Sequence, residues 1–348
     1  FEPGTVVAYS NWGAALAGYI VERVSGQSFD AYVHEHIFEP LGMDRTAVHS
    51  MLSDQEWVAK QRAQQKHYTA ANQPLGTSLY YVSLYPAGMA TGAFGDLVKF
   101  GQAFLPADGE ASPLFAERET LEAMLSPSLL FADGVTPRNA HGFWTDELGV
   151  PVVWHNGGTK GSTAWFTLDP QNGIGLITNT NQRDESIYNV GLLSLVFGRY
   201  PGEVGGAAAG DISGTYVAAR SIFRGFGKPY SLFTLMPIIP AEAGGFEVPE
   251  TGQTLLPAGG DAFLLDMGGM KQYRVFAVNS PDGRTILQYP GIDYLEVNGT
   301  VEIAKLALLG LFVAAGLFSL VNLVGRLVGF IRRKRSASAF ERYRILVH

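Results

Sequence analysis

The sequence contains no cysteine. Disulfides, thiol catalysis and cysteine-ligated metals are therefore excluded, even for a domain exported to an oxidising compartment. Charge is also scarce: Asp, Glu, Lys and Arg make up 16% of the 348 residues. Basic side chains are rarest in the body. Residues 1–300 carry 17 basic against 30 acidic side chains, a net of −13, whereas residues 301–348 carry eight against two, a net of +6. An acidic body lacks the basic footprint that nucleic-acid binding needs, so no nucleic acid is expected as a partner. Metal-ligand spacing is missing too. His34 and His36 flank Glu35, but positions two apart on a helix point to different faces, so both are read as solvated surface and no metal or other cofactor is expected.

What is present is apolar. Hydrophobic residues make up 47% and aromatics 12% of the chain, enough for a large core, and 348 residues allow two or three domains. Leu306 to Gly325 contains no charged residue and has about the ~20 residues a helix needs to cross a bilayer. Arg326 and Arg332-Arg333-Lys334-Arg335 follow at once, and the positive-inside rule keeps that end cytoplasmic with the acidic body outside. The expectation is a transmembrane helix over 303–331 that meets the lipid bilayer through residues 306–325. A basic cytoplasmic tail over 332–348 follows, with an extracytoplasmic body at the cell membrane. A buried core helix is the alternative reading of the run alone. Phe1-Glu2-Pro3-Gly4-Thr5 reads as the middle of a domain and not as a signal peptide.

Along the chain, Ser10 or Asn11 can cap a helix to about Val24, stopped by Ser25-Gly26. A second helix fits Ser28 to Phe38 with Phe29, Tyr32, Val33 and Ile37 on its apolar side. The stretch from Ser50 to Gln73 is polar and mixed, and Leu79-Tyr80-Tyr81-Val82 reads as extended. Asp96 is expected to cap a helix carrying Leu97, Phe100, Phe104 and Leu105 inward, and Pro113 to start another that runs to Leu125. Residues 201–210 have the composition of a linker. From there to residue 299 the pattern is short strands and turns, Ser280-Pro281-Asp282-Gly283 among them, which predicts a small all-β domain over 211–299 as a spacer or lid.

The stretch with most chemical promise is Val153-Trp154-His155-Asn156-Gly157-Gly158-Thr159-Lys160-Gly161-Ser162. Val152-Val153-Trp154, Thr163 to Leu168 and Ile174 to Thr178 read as three neighbouring antiparallel strands, with Asp169-Pro170-Gln171-Asn172-Gly173 a strong turn between the last two. Ile187 to Phe197 then fits a helix packed back on them. His155 would stand on a glycine-rich turn. Without Cβ atoms at Gly157, Gly158 and Gly161, a ligand can approach the main chain, and unpaired N–H groups there can hold a developing oxyanion. Equally, His155 can simply end a strand while the glycines make a loop. Tyr9-Ser10-Asn11, just before the first helix, offers a phenol and an amide. A tyrosine acts as general base only if its pKa, ~10 in isolation, is lowered by nearby cations. An ordinary helix start is the other reading.

Taken together these pieces carry a family resemblance. Phe1-Glu2-Pro3-Gly4-Thr5, Tyr9-Ser10-Asn11, Ser25-Gly26-Gln27-Ser28-Phe29, Pro40-Leu41-Gly42-Met43, Ala87-Gly88 before Asp96-Leu97, and His155-Asn156-Gly157-Gly158 follow one another as in the serine β-lactamase-related family. That family takes in class C β-lactamases, D-alanyl-D-alanine carboxypeptidases and family VIII esterases. The resemblance covers about residues 1–200 and implies an α+β fold of β-lactamase/transpeptidase type, an antiparallel sheet beside a helical subdomain. Residues 1–200 would be the C-terminal portion of that catalytic domain. It implies Tyr9 as base, Asn11 as substrate-orienting amide, and His155, Asn156 and Gly157 in place of a Lys-Thr-Gly edge. Asn156 and Gly157 would bind substrate and Gly158 would donate to the oxyanion. The substrate would be a small molecule or peptide, cleaved at an amide or ester. The family's Ser-x-x-Lys motif is missing, since no Lys in the chain has Ser or Thr three positions before it. The expectation is a portion of a longer serine hydrolase whose nucleophile lies upstream. A nucleophile-free protein that binds peptidoglycan-type peptides through the same cleft is the alternative.

Overall fold

A computed structural model of the chain describes all residues except Pro3, 78–80, 201–209, Ala243, 267–271, Pro281 and 337–348. The expected linker over 201–210 except Gly210, most of the basic tail, Leu79-Tyr80 of the extended stretch and Pro281 of the expected hairpin turn lie outside the described residues.

Seven helices occur among the described residues: α1 (Asn11–Ser25), α2 (Phe29–Val33), α3 (Glu56–Gln64), α4 (Phe94–Gln102), α5 (Arg118–Leu125), α6 (Gly191–Val196) and α7 (Gly299–Ser336). The strands in chain order begin with β1 (Thr46–Ala47), β2 (Lys66–Tyr68), β3 (Pro74–Thr77) and β4 (Thr91–Gly92). Six more, β5 (Leu129–Leu130), β6 (Pro137–Ala140), β7 (Phe143–Glu147), β8 (Pro151–Gly158), β9 (Thr163–Asp169) and β10 (Ile174–Thr180), form one antiparallel sheet in reverse chain order. The last eight, β11 (Gly214–Ala218), β12 (Leu235–Pro240), β13 (Phe246–Val248), β14 (Gln253–Pro257), β15 (Ala262–Asp266), β16 (Gln272–Asn279), β17 (Thr285–Gln288) and β18 (Asp293–Glu296), close into a barrel. The chain makes two compact units, Phe1–Ser221 with Met236–Glu296, and Ile222–Leu235 with the residues from Val297 on.

The first unit is held by apolar burial. One sheet face packs Val153, Phe143 and Leu168 against Phe104 and Leu121 of the helical side. Another cluster joins Trp154 and Trp165 to Val190, Leu193 and Phe197. Eight strands give a barrel interior just wide enough for side chains to fill, and here Tyr216, Leu255, Phe263, Val275 and Leu287 fill it. Barrel and sheet also touch: Phe131 stacks on Phe276 at 4.9 Å, and the Arg274 guanidinium, over the Tyr200 ring at 4.6 Å, donates to Thr136 Oγ1 and Glu147 Oε2.

Local chemistry explains several elements and corrects others. Ser10 Oγ accepts from Gly13 N at 3.1 Å to cap α1, and Gly26 ends it at φ 74°, in the left-handed region glycine tolerates. The second helix reaches Phe38 as expected, but its last turn, His34–Phe38, widens to a π-helix. His34 is not solvated surface. Its Nε2 meets Asp54 Oδ2 at 3.0 Å, on a carboxylate that also accepts from Val48 N and His49 N. Asp96 does not cap α4, whose preceding residue is Ala93; it lies buried in the first turn and accepts from Arg45 N and Thr46 Oγ1. No helix starts at Pro113. The Ser112 hydroxyl donates to Ala103 O and accepts from Leu114 N, which holds a turn there, and α5 begins at Arg118. Likewise the Glu185 carboxylate takes Tyr188 N and Asn189 N, so α6 starts only at Gly191 and Ile187 is exposed. The polar stretch Ser50–Gln73 contains α3 and β2.

In the second unit, Lys228–Phe233 forms a short 3-10 turn that touches α7. The apolar stretch Gly299–Arg332 of α7 is long and apolar enough to cross a membrane, and none of its most apolar window is buried.

Candidate active site

His155, Asn156, Gly157 and Gly158 do not form a turn. They are the last four residues of strand β8, paired in register with β9 from His155↔Phe166 to Gly158↔Thr163. The turn proper is Thr159 to Ser162, closed by Thr159 N donating to Ser162 O at 2.9 Å. Strand β7 pairs with β8 only from Glu147↔Pro151 to Trp144↔Trp154. Beyond Trp154, β8 therefore has β9 along one side and no ladder with β7 along the other. In an antiparallel strand the backbone groups of alternate residues point to opposite sides, so this end of β8 can offer main-chain donors and acceptors to a ligand lying alongside.

Tyr9 stands beside that end of the strand. Its ring centroid lies 6.3 Å from His155 and 6.0 Å from Trp144, and Trp144 stacks on His155 at 6.3 Å with 17° between planes. The three rings thus form a closed triangle drawn from the N-terminal segment, β7 and β8. Trp144 was invisible as a site residue in the sequence, though Phe143-Trp144-Thr145-Asp146 alternates in burial as a strand should. Ser10 is occupied in capping α1, and Asn11 is exposed at the first helical position. Ala8, Tyr9, Ser10 and Asn11 line an open cleft of about 410 Å³ together with Ala219, Arg220 and Ser221, which follow β11. Asn156, Gly157 and Gly158 are exposed and do not line it. Among the described residues no group of three or more His, Asp or Glu side chains is arranged to hold a metal ion.

Tyr9 is held in place from the barrel. Tyr9 N donates to Gly291 O at 3.3 Å, Ala8 bridges Ile292, and Asp293 N donates to Val7 O at 2.8 Å. The Asp293 carboxylate closes the arrangement by accepting from Val7 N at 2.8 Å through Oδ2 and pairing with Arg138 at 2.5 Å through Oδ1. Arg138 also donates to Tyr289 O through Nε and a terminal nitrogen. Asp293 is 1% and Arg138 2% exposed. Burial pulls the Arg138 pKa below its ordinary value, while the Asp293 charge works the other way.

His155 is half-buried, and burial lowers its pKa against a smaller opposing effect of a backbone hydrogen bond at Asn156. The neutral imidazole, which can accept or donate, is therefore the form at neutral pH. Below ~6.5, the free-histidine value, the unfolded chain binds a proton that the folded one resists, so this residue's contribution is complete above that value and is lost as pH falls towards the lowered folded pKa. Wild type should lose more Tm than His155→Gln between pH 7 and 5. Equal losses would mean that His155 is not desolvated.

The turn after Gly158 is buttressed by His67, which is buried. The Gly161 carbonyl must accept from His67 Nδ1 at 2.7 Å, which leaves Nε2 to accept from Arg62 at 2.7 Å and so fixes the tautomer. A Cβ on Gly161 would come within 2.5 Å of His67 Cβ. Gly161→Ala is expected to cost about 1–3 kcal/mol, the usual penalty for forced overpacking. A thermal melt unchanged within error would show that the turn yields without cost.

The beta-lactamase family model matches residues 1–190. The unguisins hydrolase ungD' of Aspergillus campestris is 27% identical over 199 residues, 53% of this chain and 35% of that protein. Penicillin-binding protein 4 of Amycolatopsis lactamdurans is 27% identical over 193 residues, 51% and 48% of the two chains. A putative D-alanyl-D-alanine carboxypeptidase of Escherichia coli is 42% identical over 52 residues, 15% and 12%. The chain spans less than half the length of each of these relatives. Among solved structures, that of SurE with D-Leu is 18% identical with a TM-score of 0.49, covering 85% of this chain and 69% of the other.

Proposed function

Because this chain belongs to the beta-lactamase family, on a match that takes in residues 1–190, we propose that its protein is a membrane-anchored serine hydrolase acting by acyl transfer on an amide or ester. The observation that carries the reading is the meeting of Tyr9 with His155 at the open end of β8. Two motifs far apart in sequence meet there, which supports a shared site. The relatives' names, a hydrolase and a carboxypeptidase among them, support amide or peptide chemistry.

In this mechanism a serine from a Ser-x-x-Lys motif outside these 348 residues attacks the substrate carbonyl. Its proton passes to Tyr9 and the motif's lysine as the Oγ–C bond forms, and returns to the leaving nitrogen or oxygen as the substrate bond breaks. Water then releases the acyl group by the same route. Asn11 orients the substrate amide, Asn156 and Gly157 hold its main chain along β8, and Gly158 N–H stabilises the oxyanion. His155 holds the substrate's polar end or assists the Tyr9 proton. Helix α7 anchors the protein, with the body extracytoplasmic and the basic tail in the cytoplasm. Residues 1–200 form the catalytic portion, 201–210 the linker, 211–299 the all-β domain and 303–331 the span.

The test is turnover of p-nitrophenyl esters and a chromogenic cephalosporin by the full-length protein. Unchanged rates in both Tyr9→Phe and His155→Ala would sink this site. Absence of turnover with retained binding of a D-alanyl peptide would assign the cleft to recognition.

A further inference from the structure

The insertion between β11 and β12 carries exposed apolar side chains. Residues Ile222–Leu235 belong to the compact unit of α7, and the Lys228–Phe233 turn touches that helix. Within twelve residues, Ile222, Phe226, Tyr230 and Phe233 are all exposed, Phe226 completely and the last two at 65%. A cluster of large exposed apolar side chains marks a surface meant for something other than water.

Its polar chemistry specifies what. Arg220 to Leu235 contains Arg224 and Lys228 and no acidic residue, in a body whose net charge over residues 1–300 is −13. Lys and Arg can bury their stems and raise their charged ends to phosphate, while Phe and Tyr settle at headgroup level. Three backbone donors in and beside the segment are satisfied locally: Lys228 N to Gly225 O, Tyr230 N to Gly227 O and Thr234 N to Ser231 O. The Ser231 hydroxyl donates to Lys228 O and the Thr234 hydroxyl to Ser231 O. Polar groups paired in this way lose little on leaving water. A protein partner would account for the aromatics but not for their sharing a compact unit with a helix long and apolar enough to cross a membrane.

We infer that Ile222–Phe233 is an interfacial membrane-contact surface, its aromatic side chains lying at the headgroup level of a phospholipid bilayer and Arg224 and Lys228 at its phosphates. This rests on the reading of α7 as membrane-spanning. The surface makes a second attachment besides the helix.

The absence of cysteine allows a direct test. Phe226→Cys, Val135→Cys and Leu311→Cys, at three exposed positions, each give one thiol for a nitroxide label. The full chain is reconstituted into vesicles of phosphatidylcholine and phosphatidylglycerol, and label accessibility to oxygen and to an aqueous nickel complex is measured by electron paramagnetic resonance. The expected result at position 226 is an oxygen-to-nickel ratio several-fold above that at position 135, corresponding to a depth of about 5–10 Å at the headgroup boundary. The label at 311 should lie deeper still. A ratio at 226 equal to that at 135, with 311 in hydrocarbon, overturns the contact surface and leaves the span standing. An aqueous label at 311 overturns the span and the surface together.

Discussion

Alanine at Asp293 is expected to cost about 3–5 kcal/mol of stability, the usual consequence of leaving one member of a buried ion pair alone. The loss falls on Arg138, which would keep its bonds to Tyr289 O but no anion. It also falls on Val7 N, whose acceptor disappears next to the bridge that holds Tyr9. Stability and positioning can be separated. Replacing a buried pair by apolar residues of similar size is often neutral or stabilising by about 1–4 kcal/mol, so Arg138→Met with Asp293→Leu should recover the melting temperature. It supplies no acceptor for Val7 N, so turnover of the full-length protein should remain depressed. Recovery of both would mean that the pair serves the fold alone. Denaturant unfolding of the two variants measures the first quantity, and ester turnover the second.

Tyr9→Phe should reduce kcat of the full-length enzyme by roughly 10²–10⁴-fold, the range a positioned general acid–base group supplies. The substitution removes one hydroxyl and leaves the ring that meets Trp144 and His155, so Tm should change little and KM less than kcat. If KM rose while kcat stayed unchanged, Tyr9 would be a binding group and the proton would move elsewhere. A loss below about threefold would remove Tyr9 from the chemistry, since it is smaller than the ~1 kcal/mol of one ordinary hydrogen bond.

How much of this was legible in the sequence depends on the range of the forces involved. Helix α1 was readable because its start and stop are local: Ser10 caps it three residues from its donor, and Gly26 takes the left-handed turn. The turn after β9 was readable for the same reason, as Asp169 accepts from the amides of Gln171 and Asn172. Signals failed where a side chain bonded to something distant. Asp96 looked like a cap because acidic residues favour helix starts, yet its acceptors serve Arg45 and Thr46. His34 looked solvated because its partner Asp54 lies twenty positions on. The site was half legible. His155 and Tyr9 stood out by residue type and by resemblance, but Trp144, on a strand of the three that went unread, did not. The Arg138–Asp293 pair, joining the sheet to the last barrel strand, has no local signature at all.

That pair ties the candidate site to the barrel. The Val7–Tyr9 segment is in effect a short extra strand laid on the barrel's final turn, so the barrel cannot be treated as an appendage to be trimmed, swapped or fused elsewhere without consequence. A protein cut back to its sheet and helices would keep Tyr9 and His155 but lose Ala219, Arg220 and Ser221 from the cleft, together with the template that sets where Tyr9 stands. For this chain, removing the barrel would reshape the candidate site from a distance.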